Sequence, residues 1–265
     1  MMSSTRKKNP TRAEEAFRHL DLAMQSPPSS VDLNGSPRAQ QSAADGDVST
    51  SMWRQVQFAS RSPGSRVFPS AVAHNNALYI FGGHDGSIYR NDLLLFNLET
   101  RMWQFDVSIA GDGPSPRDAH AAVVYGECMY VFGGYDSKRY LNDFHRFQFG
   151  TCLWSAVASC GGAPSPRGGH TAVVHGQQML VFGGCDGWNY FNDLFKFGFD
   201  TEQWLAVRVT GTAPGARSAP ATVIHEQQAI MYIFGGYDGG RSLNDLFRFN
   251  LSTSEWAQVS TWVSE

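Results

Sequence analysis

The chain has 265 residues, a formal net charge of −3, 42% hydrophobic and 13% aromatic side chains, so it can bury a substantial core and carries no basic footprint for nucleic acid. No apolar run approaches the ~18 residues of a membrane span, and no apolar stretch of a secretory signal follows the basic N-terminus, so no membrane partner is expected and a cytoplasmic protein, with the nucleus as the alternative, is the default. Cys128, Cys152, Cys160 and Cys185 form no CxxC and no metal-ligand spacing with histidine, so they read as reduced thiols, and neither metal nor cofactor is expected.

Residues 1–52 differ from the rest. The stretch SPPSSVDLNGSPRAQQSAADGDVSTS is rich in Ser, Pro, Asp and Gly and nearly free of large apolar side chains. It cannot bury enough surface to offset its ordering entropy, and reads as a disordered N-terminal tail. Within it, residues 11–25 place Phe17, Leu20 and Met24 at helical spacing, behind Glu14 and Glu15. A helix that short is marginal alone. It is either a transient helix of the tail or a docking motif for a partner groove.

From Trp53 to about residue 260 the chain repeats itself every ~50 residues. Tryptophans fall at 53, 103, 154, 204 and 256, glycine pairs at 82–83, 133–134, 183–184 and 235–236, arginines at 66, 117, 167 and 217, and Asn-Asp pairs at 91–92, 142–143, 192–193 and 244–245. Four independent markers on one period exclude coincidence. Each repeat reads as four short strands. In the third, TAVV (171–174) is the first strand and HGQQ turns the chain. MLVFGG is the second strand, halted by its glycines, and the loop CDGWNYFN leads to DLFKFGF. DTEQ turns again into WLAVRV. Recurrent turn signals and the lack of any helix-length amphipathic run make the region all-β. The units fall at about 66–110, 117–160, 167–210 and 217–260, and Trp53 with RQVQF adds one extra outer strand.

The pattern over 53–260 resembles the kelch repeat. The wording PSPRGGHTAVVHGQQMLVFGG followed by FNDLFKF is similar to the subgroup of leucine-zipper-like transcriptional regulators and Rab9-effector-like kelch proteins. The resemblance implies a kelch-type β-propeller, each repeat one four-stranded blade around a central channel. It also implies a protein–protein interaction module acting as adaptor or scaffold, in the context of a ubiquitin ligase or of signalling. Members of the first of these types join blades to BTB domains, and no BTB pattern is visible here. The alternatives are a trafficking effector that binds a small GTPase and an enzyme or small-molecule site in the channel. Kelch propellers usually have more than four blades. The chain is therefore a piece of a longer protein, an open or four-bladed form, or an incomplete ring that closes by oligomerisation.

In such a propeller both faces of a middle strand need cover, so Phe96, Phe147, Phe197 and Phe249 are expected between blades. The tryptophans on the outer strand are expected to cover the join to the next blade. Each Asn-Asp is expected to fix its own loop, and each repeat arginine to cross-link adjacent blades.

Histidines repeat with the fold at 120 and 170, and again at 175 and 225, which marks them as architectural. No G-x-S-x-G elbow, HExxH or P-loop occurs, so no enzyme is expected. The residue after each glycine pair varies on a constant scaffold: His84, Tyr135, Cys185 and Tyr237. The loop interiors SIYR, SKRYL, WNYF and GRSL contribute Tyr89, Arg90, Lys138, Arg139, Trp188, Tyr190 and Arg241. Arg, Tyr and Trp dominate interface energetics, so these residues are the candidate partner-binding face. Cys185 is expected to meet the partner there, and the basic residues suit an acidic peptide.

Overall fold

The computed structural model describes residues 56–105 and 109–260. The predicted tail and its 11–25 helix lie outside the described residues, as does Trp53. Residues 56–58, the end of the expected extra strand, carry no strand.

The described chain is a four-bladed β-propeller. Blade one is β1 (Ser70–His74), β2 (Ala77–Phe81), β3 (Leu93–Asn97) and β4 (Met102–Gln104). Then come β5 (Ala110–Gly111) and blade two, of β6 (Ala121–Tyr125), β7 (Cys128–Tyr135), β8 (Tyr140–Gln148) and β9 (Leu153–Ala156). Next are β10 (Cys160–Gly161) and blade three, of β11 (Thr171–His175), β12 (Gln178–Phe182), β13 (Leu194–Gly198) and β14 (Gln203–Ala206). Last are β15 (Thr210–Gly211) and blade four, of β16 (Ala221–His225), β17 (Ile230–Tyr237), β18 (Ser242–Asn250) and β19 (Glu255–Gln258). Each blade is an antiparallel meander in sequence order.

Blades two to four have one strand more than expected. The two-residue segment before each of these repeats pairs in parallel with the outermost strand: β5 with β9, β10 with β14 and β15 with β19. Only glycine fits the second position. A Cβ on Gly111, Gly161 or Gly211 would stand 2.1, 2.3 or 2.1 Å from the carbonyl oxygen of Trp154, Trp204 or Trp256. Blade one has Ser60 at the equivalent position, and its Oγ accepts the Trp103 N–H instead, at 2.7 Å.

The core lies between blades. One cluster joins Val72, Phe81 and Leu93 of blade one to Met129, Val131, Phe147 and Trp154 of blade two. Equivalent clusters join blades two and three around Phe132, Phe144, Phe197 and Trp204, and blades three and four around Phe182, Leu194, Phe249 and Trp256. Phe147, Phe197 and Phe249 thus sit between blades as expected, whereas Phe96 faces no neighbouring blade among the described residues and packs against Phe58 and Trp103. The tryptophans do not cover the join to the next blade. Trp154, Trp204 and Trp256 lie 5.1, 5.0 and 5.5 Å from Phe81, Phe132 and Phe182 of the preceding one. Among the described residues no such cluster joins blade four to blade one.

The repeat arginines act inside their own blades rather than across them. Arg117, with a fully buried side chain, forks onto both oxygens of Asp143 at 2.6 and 2.7 Å and donates to the Gly133 carbonyl at 2.9 Å. Arg66, Arg167 and Arg217 make the same fork with Asp92, Asp193 and Asp245. The Asp of each Asn-Asp pair therefore receives the arginine and does not fix its own loop, while Asn91 and Asn192 donate to Pro114 and Pro214 of the next linker. Adjacent blades are joined through the arginine backbone. The Arg117 carbonyl accepts from Gly83 N–H at 2.8 Å, and its N–H donates to the Arg90 carbonyl at 3.0 Å. Gly134 with Arg167, and Gly184 with Arg217, repeat the first of these bonds at 2.8 Å. This close approach explains the glycine pairs: Gly133 and Gly134 have φ of 63° and 103°, and a Cβ on either would stand 2.8 or 2.6 Å from a backbone carbonyl.

Candidate partner-binding face

The loop between the second and third strands of every blade is a short hairpin built around an aspartate. Asp85 Oδ1 accepts the N–H groups of Ser87 and Ile88 at 3.0 and 2.9 Å. Asp136, Asp186 and Asp238 take the amides two and three residues on in the same way. These Asx-type turns hold each tip through its backbone, with Arg90 and Asn189 adding side-chain bonds to Asp85 and Asp186. The N–H bonds, led by Ile88, and the Arg90 guanidinium hold the Asp85 carboxyl down to about 2. Burial works the other way at Asp186, but the Asn189 and Trp188 amides overcome it and lower that carboxyl too.

At the base of the hairpins, the residues chosen as variable columns form one continuous file across the blades. His84 bridges to Tyr89, with ring centroids 5.1 Å apart. Tyr89 meets Tyr135 of blade two at 5.9 Å, and Tyr135 meets Tyr140 at 5.0 Å. The Tyr140 hydroxyl lies 3.9 Å from Cys185 Sγ of blade three. Cys185 bridges to Tyr190, which meets Tyr237 of blade four at 6.0 Å. Every second link thus crosses from one blade to the next. Burial, followed by the neighbouring Cys185, pushes the Tyr190 phenol up to about 12 and raises Tyr140 further still. Both phenols stay protonated at physiological pH.

Cys185 itself is not available as expected. It is 6% exposed, covered by Tyr140, and burial pushes its thiol up. A raised thiol hidden from solvent is unreactive. With iodoacetamide, Cys160, which is exposed, is expected to alkylate first and Cys185 on the order of tenfold or more slowly until the chain unfolds. Peptide mass mapping over time reads both, and equal rates would contradict this placement.

The exposed candidates stand above the file, at the tips. Trp188 is 76% exposed, and the side chains of Arg139 and Arg241 are 79% and 81% exposed. Their ion pairs to Asp136 and Asp238 are long, 3.7 Å each, and such surface pairs hold little. Arg90 is tied down by Asp85 at 2.5 Å. A cleft of about 520 Å³ lies between the tips of blades one and two, lined by Ile88, Tyr89, Pro116, Asp136 and Lys138 among others.

One residue escaped the sequence reading. Asp118 is 1% exposed, and its Oδ2 lies 3.3 Å from His84 Nε2 across the first junction. Its signal was its oddity: Val67, Gly168 and Ser218 hold the equivalent position in the other repeats. Among the described residues, no group of three His, Cys, Asp or Glu side chains could hold a metal ion, and no helix is long and apolar enough to cross a membrane.

A family model described as KLHDC2/KLHL20/DRC7 Kelch-repeats domain matches residues 90–264, and one described as Kelch motif matches residues 65–105. The chain is 33% identical over 103 residues to the leucine-zipper-like transcriptional regulator 1 homolog of Drosophila melanogaster, covering 36% of this chain and 10% of that protein. It is 34% identical over 98 residues to human Kelch domain-containing protein 1, covering 36% of this chain and 24% of the relative. It is 36% identical over 77 residues to the Rho GTPase-activating protein gacHH of Dictyostelium discoideum, covering 29% of this chain and 5% of that one. The matched stretch thus spans no more than about a quarter of these relatives.

Proposed function

Because the chain belongs to the kelch-repeat family, we propose that its propeller recognises a partner protein through the hairpin face and acts as an adaptor or scaffold. The observation that carries this is the pairing of Trp188, 76% exposed, with a backbone held from beneath by Asp186. A large aromatic side chain held out in water by a rigid turn costs little further ordering on binding and offers a large apolar area. Arg139 and Arg241 stand at the equivalent tips of the neighbouring blades, so the face offers one aromatic anchor flanked by two exposed guanidiniums that only long ion pairs hold. That combination has hot-spot character, and it suits a partner segment with acidic groups beside an apolar one.

The adaptor role draws support from the relatives, in which the matched stretch is a small part of long proteins of different kinds. A recognition face carried as a separable unit fits such use. The four free thiols accord with a reducing compartment, and the cytoplasm is the proposed location.

The test is capture of partners from cell extract by the immobilised chain, read by quantitative mass spectrometry. Trp188→Ala and Arg139→Ala are each expected to weaken capture of the same proteins by roughly 30-fold, the loss for a hot spot worth about 2 kcal/mol, with unchanged melting temperature. Leu205→Ala, at an exposed position on β14, is the control and is expected to leave capture intact. Capture that survives both tip substitutions would remove the hairpin face from consideration.

A further inference from the structure

Each blade has two unlike apolar faces. The trailing face carries the first-strand valine, the phenylalanine before the glycine pair and the residue after Asn-Asp. The leading face carries the second-strand Met or Leu with a β-branched neighbour, the column phenylalanine and the tryptophan. Three times the trailing face of one blade closes on the leading face of the next. Phe81, Phe132 and Phe182 are each 1% exposed as a result. Their equivalent in blade four, Phe234, is 51% exposed, and Val223 is 61% exposed where Val72 and Val123 are buried. At the other end, Leu78, Ile80 and Trp103 of blade one are half-buried where their equivalents Met129, Val131 and Trp154 are fully enclosed. Phe58 covers part of that face, edge-on to Phe96 and Trp103 at 5.8 and 5.9 Å, and is itself 44% exposed.

The open trailing face of blade four and the leading face of blade one, where Leu94 and Phe96 are buried but Leu78, Ile80 and Trp103 are only half-buried, are therefore the two halves of a junction that the chain builds three times within itself. Its innermost strands lie side by side in order, β1 with β6, β6 with β11 and β11 with β16, and no comparable contact returns from β16 to β1 among the described residues. We propose that the trailing face of blade four, around Val223 and Phe234, seats the leading face of blade one, around Ala71 and Ile80, of a second copy of this chain. The occupant follows from the fit. The template is repeated in the same molecule and both halves are mainly apolar; the charged Arg248, beside Tyr232 on the trailing face, has its counterpart in Arg146 beside Tyr130 at the junction of blades two and three. The contact is head-to-tail, so a pair of copies closes on itself when each fills the other's open face. Two copies make an eight-bladed ring, within the four to eight blades such rings take. This inference does not depend on the hairpin-face reading, because the residues involved lie on blade faces and not at the tips.

The test uses the full chain and two variants, each at an exposed position, so that folding is not at issue. Phe234→Glu breaks only the trailing face. Ala71→Glu breaks only the leading face, since Ala71 is exposed and pairs with Ile80 on the same side of the sheet. Sedimentation velocity over a dilution series is expected to show a dimer of the 29.2 kDa chain, and a monomer for each variant alone. Mixed, the two variants are expected to form a dimer again, because one retains a sound leading face and the other a sound trailing face. A side-to-side contact would not show this rescue. A native chain that is monomeric at every concentration overturns the proposal in favour of a different occupant. A dimer indifferent to Phe234→Glu, or a mixture that stays monomeric, also overturns it.

Discussion

Replacing Arg167 by alanine is expected to lower the stability of the chain by roughly 3–4 kcal/mol, the lower part of the range for removing one partner of a buried ion pair. The guanidinium is closed off from solvent and held on several sides. Its side chain is 1% exposed, it forks onto Asp193 at 2.6 and 3.0 Å, it donates to the Gly183 and Ser165 carbonyls at 3.0 Å, and the Phe191 ring lies 4.3 Å from its centre. Truncation leaves two backbone acceptors without donors and a void beneath the glycine pair. Its partner is less enclosed: the Asp193 side chain is 40% exposed and can recruit water once the arginine is gone. The two halves of the pair are thus unequal. Asp193→Asn is expected to cost about 1–2 kcal/mol, within the usual range for losing a charged hydrogen bond, and Arg167→Lys to recover less than half the alanine loss, since one ammonium cannot reproduce the fork. Urea unfolding with an internal tryptophan signal orders the three variants. Equal losses in Arg167→Ala and Asp193→Asn would mean that the charge pair, and not the buried fork, supplies the stability.

Acidification from pH 7 to 5 is expected to cost roughly 4 kcal/mol, well before any carboxylate titrates. His120 and His170 sit immediately before the first strands of blades two and three, packed edge-on to Phe81 and Phe132 of the preceding blade at 5.3 and 5.4 Å. Burial first, and then the neighbouring Arg117 or Arg167, lowers each to about 3. The sign follows from which state takes the proton. In the folded chain both rings stay neutral, while in the unfolded chain they protonate near 6.5. Stability from these two groups is complete above that value and drains away as pH falls toward 3. At pH 5 each has lost about 2 kcal/mol. The lowered carboxyls, Asp85, Asp186 and Asp238 at the hairpins and Asp143 and Asp245 under their arginines, lose their contribution only below the ordinary carboxylate range. The window from 7 to 5 therefore belongs to the histidines. His170→Phe is expected to remove about half of the pH dependence there while keeping the edge-on contact to Phe132. Parallel stability curves for the native chain and this variant between pH 7 and 5 would refute the assignment.

Much of this architecture was legible in the residues because the repeat supplies four internal copies of every position. A glycine pair, an arginine and an Asn-Asp that recur together must serve the blade, and each does. The errors share one cause. Spacing along the chain says which residues share a column, not which neighbour the column faces. So the tryptophans were assigned to the next blade and lie against the preceding one, and the arginines were assigned across the junction while their guanidiniums stay within the blade. Cys185 shows the same limit at the candidate face. Its column varies, and variation was read as exposure, yet Tyr140 of the neighbouring blade covers it. The fifth strands had a signal that was overlooked, the glycines at 111, 161 and 211 on the common period. The sequence placed the tyrosines in the right loops but gave no sign that they would join, blade to blade, in one file.

The aspartate at each hairpin has one more consequence. It captures the two amides of the tip by itself, so the turn is specified by a single side chain and a glycine or serine beside it. The backbone of the two residues that follow is held whatever side chains they carry, which is why Ile88, Arg139, Trp188 and Arg241 can differ so widely in size and charge on turns that make the same pair of bonds to the aspartate. The blades thus work as four sockets with a common thread. What is screwed into each can be exchanged for a new specificity, by evolution or by a designer, without renegotiating the fold beneath.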